Sequence, residues 1–364
     1  MPHVSRRLML LGLFLATLRV SHAGDAEGRV GIVRIPGGLK MLRAQTGAEG
    51  AVHVLADSEH GPRYVLSRDG GVTFNAPLVV VNGAPPKPDL KFSAWDLAIG
   101  KDASVHVALA TNAWQLKLPK PDWGLHYANL APGAKAFTPV RNINLKPSEG
   151  FSLAAGGRGA VTACFLSGKL FTMTSRDGGA TFTEPAEPDA AWKPCSCCTT
   201  SSAFGADGRL AVLYREETNN DRDIWLALLD PSGKAKPVRT QVSTTPWKIA
   251  GCPMTYFTVV PNANGYVAAW PTKGEVYFAR LDKDGAVLPP GEIKTPGTHG
   301  MRTHLLALSA PDGAALIAWK NNDTLGWQLY DAKGQPQGAP GSAPSAGSGA
   351  AGVVLGSGRF VLFP

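Results

Sequence analysis

Four cysteines stand where chemistry is possible. Cys195-Ser196-Cys197-Cys198 places three sulfurs within four residues, and Gly251-Cys252-Pro253-Met254 adds a fourth further along the chain. Two kinds of chemistry suit such a set. In an oxidising compartment it reads as disulfides, and four thiols allow three connectivities. A bridge from the Cys195–Cys198 segment to Cys252 would be worth about 2–4 kcal/mol. A bond between the neighbours Cys197 and Cys198 is strained, so three cysteines in four residues build two relaxed bridges poorly. Packed thiolates also suit a soft metal, copper(I) or zinc(II). Cys164 stands alone in an apolar run and reads as a buried thiol.

The elements that must position these sulfurs follow from an internal repeat. A turn leading into an apolar strand recurs from Gly50, Ala103, Gly159, Gly208, Gly265, Gly313 and Gly358, at spacings of 45 to 57 residues. Short strands flank each copy, and 42 Gly and 29 Pro are spread along the 364 residues. That excess marks many short elements joined by turns and excludes long helices. Four short strands per repeat predict an all-β fold, a β-propeller of four-stranded antiparallel blades, seven in number with six as the alternative. The chain ends inside a strand, 359–363, so the strand at 29–35 is expected to complete that blade and close the ring.

The repeat phase then sorts residues between two rims. The segments before the inner strands share one rim, so the two cysteine segments should sit side by side on adjacent blades. The same rim should carry Trp95, Asp96, Glu149, Met254, His299, Met301, Arg302 and His304, and the stretch from Arg215 and Glu216 reads as a charged, solvated loop or as a polar wall for a bound ligand; Trp95, Asp96, Glu149, Arg215, Glu216 and Arg302 are the candidate ligand-binding residues. Met254, His299, Met301 and His304 add possible soft or borderline metal ligands. The 112–123 segment is long for a blade connection, and its Trp114 and Trp123 could stack on a sugar.

Two sharper motifs fall on the opposite rim: Ser67, Asp69, Gly71, Thr73 and Phe74, then Ser175, Asp177, Gly179, Thr181 and Phe182 at identical spacing. Asp accepts bonds from amides of its own turn, Gly supplies a positive φ, and Phe anchors the turn to the blade. Weaker turns at Asp230, Asp282 and Asp331 fall in the same phase. In these motifs the sequence resembles the sialidase-like, Asp-box (BNR-repeat) β-propellers. The Cys-x-Cys-Cys segment further resembles uncharacterised exported bacterial members of that group. The resemblance implies the propeller fold over the mature chain, and leaves function open because such propellers include non-enzymes. An enzyme of this kind would be an exo-glycosidase acting on sialylated or other acidic glycans, with Arg34 of Val33-Arg34-Ile35-Pro36 gripping the substrate carboxylate. The remaining catalytic set of that family has no defensible match by motif, and Asp57 is only a loose candidate for the acid/base.

Residues 1–23 read as a secretory signal: Arg6 and Arg7, the apolar run 8–18, then Ser21-His22-Ala23 as cleavage site. The run is shorter than a membrane span. Removing residues 1–23 takes away three Arg and no acid, lowering the formal charge from +8 to +5. The expected product is a single domain, 24–364, in the periplasm or outside the cell. No basic cluster interleaved with aromatics indicates nucleic acid. P-loop, dinucleotide, haem and serine-hydrolase motifs are absent. The leading expectation is a non-enzymatic propeller that binds a ligand or a thiophilic metal, copper or zinc, at a Cys-rich channel mouth. The rivals are the glycosidase and a propeller that binds an envelope protein while disulfides brace its face.

Overall fold

The computed structural model describes residues 28–83, 87–147, 149–347 and 349–364. The signal segment at 1–23 and a mature start at Gly24 lie outside them. The seven apolar repeat copies form the second strands of seven small sheets: Val52–Ser58, Val105–Thr111, Val161–Leu166, Leu210–Arg215, Gly265–Thr272, Ala315–Asn321 and Phe360–Phe363. Nearly every residue in them is buried. A strand covered on both faces reads as an unbroken apolar run, which is why the repeat stood out by composition instead of alternation.

Each second strand pairs antiparallel with a preceding inner strand, in order Lys40–Thr46, Phe92–Ile99, Glu149–Ala155, Thr200–Phe204, Thr258–Asn262, Leu306–Ser309 and Ala351–Val354. Neighbouring inner strands touch all the way round, the last against the first, so the ring has seven blades. Seven apolar clusters fill the seven gaps between blades. The burial is therefore shared around the ring and has no single centre. Among the described residues no helix is long and apolar enough to cross a membrane.

Two blades depart from the four-stranded pattern. The third has three strands, with Thr172 bridging only to Ala186 where a fourth would run. The seventh is completed by Val30–Ile32, as the incomplete C-terminal blade required, but this strand is shorter than 29–35 and pairs parallel: Val30 faces Phe360 and Ile32 faces Leu362. The reason is connection length. A parallel third strand ends on the rim where the first inner strand begins at Lys40. An antiparallel one would end on the far rim, a blade's length away.

Both predicted turns form as hydrogen-bonded units. Asp69 accepts from the amides of Val72 and Thr73 and from the hydroxyls of Ser67 and Thr73, while Ser67 Oγ accepts from the Gly71 amide. Asp177 does the same with Ser175 and Thr181, and Ser175 Oγ with the Gly179 amide. Phe74 packs edge-on against Phe363, and Phe182 edge-on against Tyr127. Asp230, Asp282 and Asp331 accept from amides of their own turns in the same phase.

Candidate functional site

The cysteine segments approach the inner strands of blades four and five. Pro194 and Cys195 are anchored to the end of the second strand, the Cys195 amide donating to the Arg215 carbonyl at 2.8 Å. The Cys198 amide then folds back onto the Cys195 carbonyl at 3.2 Å, a tight turn that gathers three sulfurs. Cys197 is bonded to Cys252 across the two blades. This is the bridge expected between those segments, and it leaves Cys195 and Cys198 as thiols. Cys195 Sγ lies 3.5 Å from Cys197 Sγ on one side and 3.5 Å from Cys198 Sγ on the other. Burial falls outward, with Cys195 and Cys198 buried, Cys197 half-buried and Cys252 exposed.

Two guanidinium groups surround the thiols. Arg222 donates to Cys195 Sγ at 3.2 Å. Arg215 is completely buried, contrary to the solvated wall expected of that stretch. It donates to the carbonyls of Arg222 and Pro271 at 2.6 Å each and to Thr255 Oγ1 at 3.2 Å, and its plane lies over Trp247. Among the described residues no carboxylate lies within ion-pair distance of it, so its charge is answered by Cys198. The hydrogen bond with Cys195 is the main cause that draws the Cys198 thiol down to about 6, against burial, with Arg215 and Thr255 assisting. The same hydrogen bond, then burial, pushes the Cys195 thiol up. Cys164, buried in the third blade, is pushed up to about 12 by desolvation, as an inert thiol should be.

The channel mouth beside the cysteines is filled by side chains from distant blades. Trp95 on blade two lies 5.5 Å from both Tyr256 on blade five and His304 on blade six, ring centre to ring centre, and 5.0 Å from Phe151. Its Nε1 donates to the Phe151 carbonyl at 2.7 Å. Asp96 pairs with Arg43 at 3.2 Å and accepts from the Leu153 amide at 2.8 Å. Arg43 also meets His304 Nδ1, and His304 is held far below its ordinary pKa by burial and by Arg43. The inner strands line a cavity of about 390 Å³, which Arg43, Trp95, Asp96 and His304 border.

The predicted site residues therefore divide. Trp95, Asp96 and His304 meet at the axis, and Arg302 reaches back to Met254 Sδ at 3.1 Å and 3.0 Å. Glu149 stands exposed at the mouth, its carboxyl raised by partial desolvation. The three-donor cluster that could hold a metal contains Cys195, Cys197 and Cys198 and no histidine, so His299 and His304 are not ligands beside the sulfurs. His299 bonds locally with Thr303, and burial lowers it to about 4. Met301 is exposed. Glu216 turns outward to Arg239 and away from the mouth. Arg34 is exposed, donates to the Pro344 carbonyl at 3.0 Å, and does not line the central cavity; the arginine that does is Arg43. Arg43 and Tyr256 belong to no motif and were missed by sequence reasoning. Their one signal was phase, since both fall at or just before an inner strand.

No protein-family model matches the chain, and a search of the curated proteins found no match. Solved structures do resemble it. A chain of the mitotic checkpoint complex matches with 11% identity and TM-score 0.53, covering 98% of this chain and 94% of its own. The SapL1 lectin in complex with alpha methyl fucoside matches with 11% identity and TM-score 0.51, over 86% and 98%. A variant of the Aleuria aurantia lectin bound to Fucα1-6GlcNAc matches with 13% identity and TM-score 0.52, over 86% and 97%. At such identities these likenesses concern the fold alone.

Proposed function

We propose that the protein is an exported propeller that holds a soft metal ion between Cys195 and Cys198, copper(I) in preference to zinc. One observation carries the reading: the Cys197–Cys252 bridge leaves two buried thiols 3.5 Å apart, one of them acidic and both facing guanidinium groups. Two thiolates on one tetrahedral zinc would be about 3.8 Å apart, taking a Zn–S distance of about 2.3 Å. The sulfurs thus need to move only a few tenths of an ångström to share an ion. Zinc asks for four donors, and among the described residues only three convergent donors are found, one already in a disulfide. Thiolates at low coordination number select copper(I). The chemistry available is binding and retention.

The test is metal analysis of the protein purified without reductant, followed by copper(I) and zinc titration of metal-free protein. One copper(I) per chain is expected, and its loss in Cys195→Ser and Cys198→Ser. A closed Cys195–Cys198 bond with no metal uptake after mild reduction would overturn the reading.

A carbohydrate ligand is the second reading. Exposed Trp114, at 70% accessibility, offers a stacking face on a long loop, and two of the similar structures are lectins in complex with fucosides. Binding to a fucosylated array that Trp114→Ala abolishes supports it; an unlabelled array removes it. The sialidase reading loses Arg34 from the cavity, and a fluorogenic sialoside assay on the native chain decides it by turnover or its absence.

A further inference from the structure

We propose that the four clustered cysteines form one thiol–disulfide exchange unit, in which Cys195 passes a disulfide between the exposed Cys197–Cys252 bridge and the buried Cys195–Cys198 pair. The geometry that carries this is the position of Cys195. Its sulfur lies 3.5 Å from one end of the bridge and 3.5 Å from a second thiol. The Arg222 guanidinium, 3.2 Å from Cys195 Sγ, favours a negative charge on the attacking sulfur. The bridge itself runs from half-buried Cys197 to exposed Cys252, so one end of the unit meets solvent and the other does not. A purely structural clip has no need of a free thiol 3.5 Å from its inner sulfur, backed by a second thiol.

The step balances without an added oxidant. Cys195, as the thiolate that accepts from Cys198 Sγ, attacks Cys197 Sγ at 3.5 Å. The Cys195–Cys197 bond forms, the Cys197–Cys252 bond breaks, and the electron pair leaves on Cys252. Cys198 then attacks Cys195 Sγ, and its thiol proton goes to the departing Cys197 sulfur. The Cys195–Cys198 bond forms and the Cys195–Cys197 bond breaks. One proton and one negative charge are present before and after; the charge has moved to Cys252 at the surface. There the dithiol Cys197/Cys252 can reduce an external low-molecular-weight disulfide, being oxidised to the bridge as that molecule becomes two thiols. The inference shares with the metal reading only the premise that two of the four sulfurs are reduced. Copper on Cys195 and Cys198 would hold the unit in its first form.

The experiment is time-resolved trapping of the metal-free native chain with N-ethylmaleimide, acid quenching and peptide mapping. Adduct is expected to accumulate on Cys197 and Cys252 while a Cys195–Cys198 bond appears. Cys195→Ser should lower adduct on Cys252 at least about tenfold, because the exposed bridge then has no attacking partner. Cys198→Ala should stop the reaction at the Cys195–Cys197 bond. The inference is overturned if the wild-type bridge stays on Cys197 and Cys252 while adduct forms only on Cys195 and Cys198. It is equally overturned if Cys252 is captured as fast in Cys195→Ser. The wild-type mapping is decisive even if a variant does not fold. Failure of copper binding with exchange intact, or the reverse, separates the two readings.

Discussion

Arg215 carries a full charge where no water reaches, and its partners are three oxygens and a sulfur. Arg215→Met would leave the Thr255 hydroxyl and the carbonyls of Arg222 and Pro271 short of a donor. A loss of about 1–3 kcal/mol or more is expected, read as a lower urea midpoint, with Cys198 free to relieve its own charge by taking a proton. Arg215→Lys should restore part of it but lose the fork that reaches two carbonyls at once. The sequence pointed the wrong way at this residue. Seven of the eight residues after it are charged or amide-bearing, and that polarity hid the last buried position of an apolar strand. Arg43 and Tyr256 were invisible for a different reason. Each finds its partners on other blades, and no local pattern encodes a contact made across a ring. The cysteine adjacency was legible because it needed only the repeat phase.

Elements were read more accurately than residues, because a doubly covered strand must be apolar along its whole length. The outer turns were equally legible, since their Asp, Gly and Thr satisfy one another within eight residues. They also make two predictions. Gly179 sits at φ +86°, and a Cβ there would lie 1.9 Å from the Tyr127 hydroxyl. Gly179→Ala should therefore cost about 1–3 kcal/mol in a chemical melt, through backbone strain and the collision together. Asp69 is drawn down to about 2, with partial desolvation opposed and outweighed by its bonds to Thr73, Ser67 and Val72. A carboxylate lowered on folding stabilises the native state above its unfolded value near 3.9, and that contribution disappears as pH falls toward 2. Thermal melts of Asp69→Asn should show a weaker decline than wild type between about pH 4 and pH 2. The missing fourth strand of blade three and the parallel strand of blade seven were not legible, because both depend on where the neighbouring segments must arrive.

At the scale of the molecule, stability is a sum over seven similar interfaces closed by one weak seam. Among the described residues a three-residue ladder, Val30–Ile32, holds the N-terminal segment to the last blade, flanked by backbone bonds at Arg29 and Val33 and by the Arg29 side chain on the Gly358 carbonyl and the Phe360 ring. A chain beginning after Pro36 should expose the Phe360–Phe363 edge and self-associate, seen as early-eluting species by size-exclusion chromatography with light scattering. A monodisperse, fully stable product would show that six blades and an open seventh suffice.

The contact among Trp95, Tyr256 and His304 has a consequence for the ring as a whole. The three rings come from blades two, five and six, so one small cluster ties together elements that lie far apart in the chain. A shift of any of these blades against the others alters the surroundings of the Trp95 indole, which makes it a natural fluorescent witness to the state of the ring.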